Sequence, residues 1–134
     1  MSLVQFLGTT AQQQQPEQVP GLAMVVLFAV QGVAALCLFL MAYLGANEKL
    51  PRNAFFGLRT DQSRADDATW RHVHRVAAPF AYAAGAAAIA GLGALALTTD
   101  RAALFLASLL ITNVVVVVFI GLAMTHGHRN LPVG

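Results

Sequence analysis

The sequence predicts an all-α integral membrane protein with three transmembrane helices plus a short cytoplasmic interfacial helix. Composition is the first observation behind this: of 134 residues, 57% are hydrophobic and only 10% charged, against roughly 25% charged in an ordinary soluble domain. The second is that the apolar residues form blocks at 21–45, 76–97 and 102–124, each long enough for the roughly 20 helical residues that cross a hydrocarbon core. The third is the placement of the basic residues. Lys49, Arg52, Arg59, Arg64, Arg71 and Arg75 lie between the first two blocks, Arg129 follows the third, and only Arg101 separates the second from the third. Lys and Arg of short loops collect on the cytoplasmic side, which predicts the N-terminus outside and the C-terminus inside. The net charge of +2 therefore reads as topology rather than as a nucleic-acid footprint.

Residues 1–20 form an extracytoplasmic tail. They contain no Lys or Arg and include the polar run Gln12–Gln15, unlike the basic n-region of a cleavable signal peptide. The tail ends at Pro20-Gly21, a helix-boundary signal. Its weakly hydrophobic start, Leu3, Val4, Phe6 and Leu7, is expected to form a short surface helix, followed by a flexible lead-in, since a Gln-rich segment buries too little to offset its ordering entropy. The first span follows over 21–45. Its one polar residue, Gln31, is expected to bond another helix, since an unpaired amide in lipid is costly. Cys37 is the only cysteine, so no intramolecular disulfide can form.

Residues 46–75 form the cytoplasmic segment. Pro51 stops any continuation of the first helix, Gly57 permits a turn, and Phe55-Phe56 suit the headgroup region. Ser63 with Asp66 gives an approximate capping box, and Asp66 and Asp67 complement the dipole of a helix starting there. Trp70, Val73 or His74, and Ala77 then recur at helical spacing, giving an apolar face for the membrane or the first span. This helix is expected to lie at the interface or to run on into the second span with a bend near Pro79.

The second span, 76–97, carries small-residue pairs four apart at Ala81/Gly85, Ala84/Ala88 and Ala87/Gly91, spacing that lets helix backbones approach closely in lipid. It is expected to be the central helix. Residues 98–101 are a short extracytoplasmic turn, so the second and third spans form an antiparallel hairpin. In the third span, 102–124, Asn113 is expected to bond a neighbouring helix. Residues 125–134 form a cytoplasmic tail.

The available chemistry is sparse. Asp, Glu, Lys and Arg are absent from the middle of every span, which argues against a proton- or ion-coupled transporter. P-loop, dinucleotide-fingerprint, HExxH and CxxC signatures are also missing, and no cofactor or catalytic residue is assigned. His72/His74 and His126/His128 form two His-x-His patterns, but helical residues two apart diverge, so no metal site is assigned either. The informative segment is Leu50 to Thr60 with Trp70 and His74-Arg75. It combines a turn glycine, arginines able to fork onto a phosphate or carboxylate, and aromatic anchors, suited to an anionic headgroup or an acidic partner at the inner leaflet. Anchoring of the helices alone is the competing use of these residues.

Asn53, the string Phe56-Gly57-Leu58-Arg59-Thr60, Trp70 and His74-Arg75 resemble the signature of the SdpI family, bacterial membrane proteins named for immunity to a sporulation-delaying toxin. In that family an N-x-x-F-G-[IL]-R-T string is followed by W-x-x-x-[HN]-R and a small-residue-rich span. The likeness covers about residues 47–97 at motif level and extends to about 124 by span arrangement. Some larger members carry additional N-terminal spans, so the chain is similar to their C-terminal half. The resemblance implies a bacterial cytoplasmic-membrane location and supplies no catalytic residues.

The leading expectation is a non-enzymatic membrane protein acting through protein-protein contacts, as an immunity or signalling factor or as an accessory subunit of a larger membrane complex. Its partners would be membrane lipids and another membrane protein. Arg52, Asn53, Phe56, Gly57, Arg59, Thr60, Trp70, His74 and Arg75 would form the contact surface, with Arg59 the principal polar contact. The alternative is a protein that binds or modifies lipid headgroups, with Arg52, Arg59 and Arg75 holding the anion and His74 as acid or base. A purely structural stabiliser of another assembly is a third reading.

Overall fold

The computed structural model describes residues 19–52, 55–129 and 131. Among them are three long helices and no strands: α1 (Gly21–Ala46), α2 (Asp67–Ala96) and α3 (Ala102–Gly127). All three are long and apolar enough to cross a membrane. Large apolar side chains point outward along α1 and α3, among them Leu22, Leu36, Leu110 and Val117. That is the pattern of helices whose outer faces meet lipid rather than water. The N-terminal tail, expected to hold a short surface helix and a flexible lead-in, lies outside the described residues.

Helix α2 is central. It packs against both α1 and α3, and these two outer helices do not touch each other among the described residues. Small residues permit this. A Cβ on Gly85 would lie 3.1 Å from the Phe39 ring of α1, and one on Gly91 would overlap the Thr112 side chain of α3. The stripe Ala77, Ala81, Ala84, Ala88 is buried, so the outer backbones close onto α2 where lipid supplies no hydrophobic drive of its own.

Two expectations require correction. The first is the separate interfacial helix, because the segment from Asp67 onward is the start of one 30-residue helix that continues through Pro79 to Ala96. No Gly or Pro lies between Asp67 and Pro79, so nothing interrupts the backbone ladder there. The Trp70, Val73, His74, Ala77 face is buried within the bundle. The second is the cap: Asp66 is the N-cap and its carboxylate accepts from the Thr69 amide at 2.7 Å, while the Ser63 hydroxyl is committed inside the loop. Asn113 is exposed and donates to the Leu109 carbonyl of its own helix at 2.8 Å. Its face of α3 points away from α2, and no other helix lies there among the described residues. Gln31 is buried in α1 and has no hydrogen bond to another helix among the described residues. Residues 83–96 of α2 are all apolar and offer no polar side chain to meet it.

At one end of the bundle lie the turn at residues 97–100 and the buried pair Leu95 and Phe105. At the other, the C-termini of α1 and α3 flank the first turns of α2, and the 47–66 connection folds over them. Helix α1 stops in a Schellman arrangement: the Lys49 amide donates to the Leu44 carbonyl and the Glu48 amide to the Gly45 carbonyl. Glu48 occupies the left-handed position at φ 57°, where Gly or Asn is usual.

Candidate functional site

The loop is held down by two side chains of the first turns of α2, Trp70 and His74. Trp70 is buried and its indole N–H donates to the Leu50 carbonyl at 2.9 Å. One helical turn later the His74 ring lies against it, centroids 4.1 Å apart. Close approach of α1 fixes this level of α2, since a Cβ on Gly45 would lie 2.8 Å from the His74 carbonyl oxygen.

Both nitrogens of His74 are engaged. The Leu58 amide donates to Nε2 at 2.7 Å, and Nδ1 lies 2.8 Å from the Trp70 carbonyl. A carbonyl only accepts and an amide N–H only donates, so the ring is neutral with its proton on Nδ1. Burial holds its pKa below the ordinary imidazole value, against the opposing pull of the Trp70 carbonyl. His74 lies in the first turns of α2, ahead of the span expected over 76–97. A ring with both nitrogens committed to backbone is placed to fix a loop rather than to shuttle protons.

Gly57 makes this contact possible. Its φ is +110°, and a Cβ there would lie 2.5 Å from His74 Nε2 and 3.1 Å from the Trp70 ring. The chain thus crosses directly above the Trp-His pair in a conformation open to glycine. Leu58 then drops into the groove between α2 and α3, clustering with Val73, Ala77 and Ala123. Ser63 locks the other side of the loop: its fully buried hydroxyl donates to the Leu58 carbonyl at 2.7 Å and accepts from the Thr60 amide at 2.9 Å. The Thr60 hydroxyl accepts from the Ser63 amide at 3.1 Å and meets His128 Nε2 at 2.6 Å. His128 Nδ1 donates to the Met124 carbonyl, so the loop is tied to α3 as well as α2.

The charged residues divide sharply. Arg52 pairs with Asp67 at 3.1 Å and donates to the Arg64 carbonyl at 3.1 Å, clamping the loop to the start of α2. Arg75 pairs with Glu48 at 2.7 Å, linking α2 to the end of α1. Arg59 is exposed and makes no side-chain hydrogen bond or ion pair among the described residues. It stands between Leu58 and Thr60, two residues whose backbones are fixed. The loop therefore presents one uncompensated guanidinium from a rigid mount.

Of the residues singled out in the sequence, Gly57, Trp70, His74 and Thr60 come together as a framework, Arg52 and Arg75 serve as internal ties, and Arg59 faces outward. Phe56 is half-buried beside them, and Asn53 lies outside the described residues. Ser63 and His128 were not assigned to the site. Ser63 carried only a capping signal, and the bond from His128 joins residues 68 apart in sequence, which no local pattern reveals.

Fold and site define a small polytopic membrane protein whose longest connecting loop is folded onto its helix ends. The model of the SdpI/YfhL protein family matches residues 49–125, more than half of the chain, and the protein belongs to that family. The matched stretch contains the loop from Lys49 onward, Trp70 and His74, the whole of α2 and most of α3. No curated protein and no solved structure matches the chain.

Proposed function

We propose that this family member is a non-enzymatic protein of the bacterial cytoplasmic membrane that captures a protein partner through the 47–75 surface, as an immunity or signalling factor or as a subunit of a larger membrane assembly. The loop would face the cytoplasm with the N-terminus outside, in keeping with the charge asymmetry. One observation carries the reading: Arg59 is exposed and uncompensated on a loop whose flanking backbone is pinned by His74 and Ser63. Preorganised presentation of a guanidinium spares a partner the cost of ordering the loop and suits a carboxylate-bearing surface.

The headgroup-modifying alternative asks His74 to act as acid or base and Arg52 and Arg75 to hold an anion. His74 spends both nitrogens on backbone, and each arginine already has a carboxylate partner, which favours the partner reading. The test is Arg59→Ala at matched membrane level. Protection or partner capture should fall strongly while thermal stability stays unchanged; full retention of both functions would refute the assignment.

A further inference from the structure

A second basic feature lies on the other side of Trp70 and is independent of Arg59. A surface cavity of about 360 Å³ opens where the end of α1 meets the start of α2, lined by residues that include Glu48, Lys49, Arg52, Asp67, Trp70 and Arg71. Two of its charges cancel internally, since Arg52 is paired with Asp67. Glu48 is neutralised from beside the cavity by Arg75. Lys49 and Arg71 are both exposed, and neither has a side-chain hydrogen bond or ion pair among the described residues. The cavity thus carries an excess of two uncompensated cations over a floor fixed by the Trp70 to Leu50 bond.

We infer that this cavity is a phosphate-binding site, with Lys49 and Arg71 as its ligands. The guanidinium fork matches phosphate oxygens bidentately and the ammonium adds a compact point charge. The two carboxylates of the lining, Glu48 and Asp67, are each ion-paired with an arginine, so their charge is offset and the two unpaired cations set the sign of the site. The cavity includes Glu48 and Lys49, the two residues that close the α1 Schellman turn, so it lies at the end of a helix long enough to span the hydrocarbon core, where a lipid phosphate would be within reach. The chemistry is that of a phosphate ester, whether borne by an anionic phospholipid or free in solution.

Native mass spectrometry of the full chain released from detergent, titrated separately with phosphatidylglycerol, phosphatidylcholine and inorganic phosphate, tests this. Phosphatidylglycerol is expected to bind with a saturable one-to-one adduct, about tenfold more tightly than phosphatidylcholine, whose choline cation offsets the phosphate charge and is repelled by Lys49 and Arg71. Lys49→Gln with Arg71→Gln should abolish that preference, while Arg129→Gln and Arg59→Ala leave it intact. Binding of inorganic phosphate as well as the lipid identifies a site for the bare anion. Binding of the lipid alone identifies a headgroup site that also uses the acyl chains. Equal adducts with both lipids and none with phosphate, or an unchanged preference in the double variant, would overturn the inference. Because Lys49 and Arg71 are solvent-facing, the double variant should retain the parent melting temperature. Retained lipid preference in Arg59→Ala keeps the outcome separate from the partner reading.

Discussion

Gly57→Ala is the sharpest perturbation of the framework. An L residue at φ +110° pays about 1–3 kcal/mol for a sparsely populated backbone region. The added methyl would stand 2.5 Å from His74 Nε2 and 3.1 Å from two atoms of the Trp70 ring, neither of them the free end of a flexible chain. Relief requires lifting the loop, which breaks the Leu58 N–H to His74 bond and leaves a buried donor unpaired at about 1–3 kcal/mol. Together these give a loss on the order of 2–6 kcal/mol. Thermal unfolding in detergent, followed by the emission of the single Trp70, reads both stability and the loss of the ring's cover. Gly93→Ala is the control: a Cβ there meets nothing within 4 Å, and replacing a helical Gly with Ala is neutral or stabilising by about 0.5–1 kcal/mol. If Gly57→Ala unfolds with the parent protein and Trp70 emission is unchanged, the Gly57-Trp70-His74 stack is not what holds the loop.

Three further outcomes follow from the same geometry. Gly91→Ala should separate α2 from α3 at Thr112 and lower stability by about 1–3 kcal/mol, the usual cost of overpacking, measurable by the same unfolding assay. Ser63→Ala removes the hydroxyl that serves Leu58 and Thr60; leaving those buried backbone groups unpaired should cost about 1–3 kcal/mol and accelerate proteolysis within the loop. His74 makes stability depend on pH. Its folded pKa lies below the ordinary 6.5, so the fold binds the neutral ring preferentially. Its contribution is complete above 6.5, declines as pH falls from there toward the lower folded value, and is constant below it. His74→Gln, whose amide oxygen can accept from the Leu58 amide but does not titrate, should flatten that window in melting temperature against pH. An identical slope in the variant would assign the window to another histidine.

Much of the architecture was legible because it rests on local physics. Span positions follow from block length, and the centrality of α2 from its small-residue spacing, since only a helix bare of large side chains lets two neighbours approach. The start of α2 was legible to within a residue through Asp66 and Asp67. What escaped was long-range. Whether residues 67–75 stand apart from the second span depends on an uninterrupted backbone ladder. In the loop, Gly57, Arg59, Trp70 and His74 stood out by type, but their division into framework and presented residue did not. That division depends on Arg52 finding Asp67 and Arg75 finding Glu48, pairings 15 and 27 residues apart. Sequence shows charges; only the fold shows which are already spent.

The central claim, that a rigid loop presents Arg59 to a protein partner, is tested most directly by placing a photoreactive amino acid at position 59 of the full-length chain in native membranes and identifying its adducts. The account predicts a discrete protein adduct that disappears when Gly57→Ala releases the loop. Adducts confined to lipid, or a protein adduct indifferent to Gly57→Ala, would contradict it.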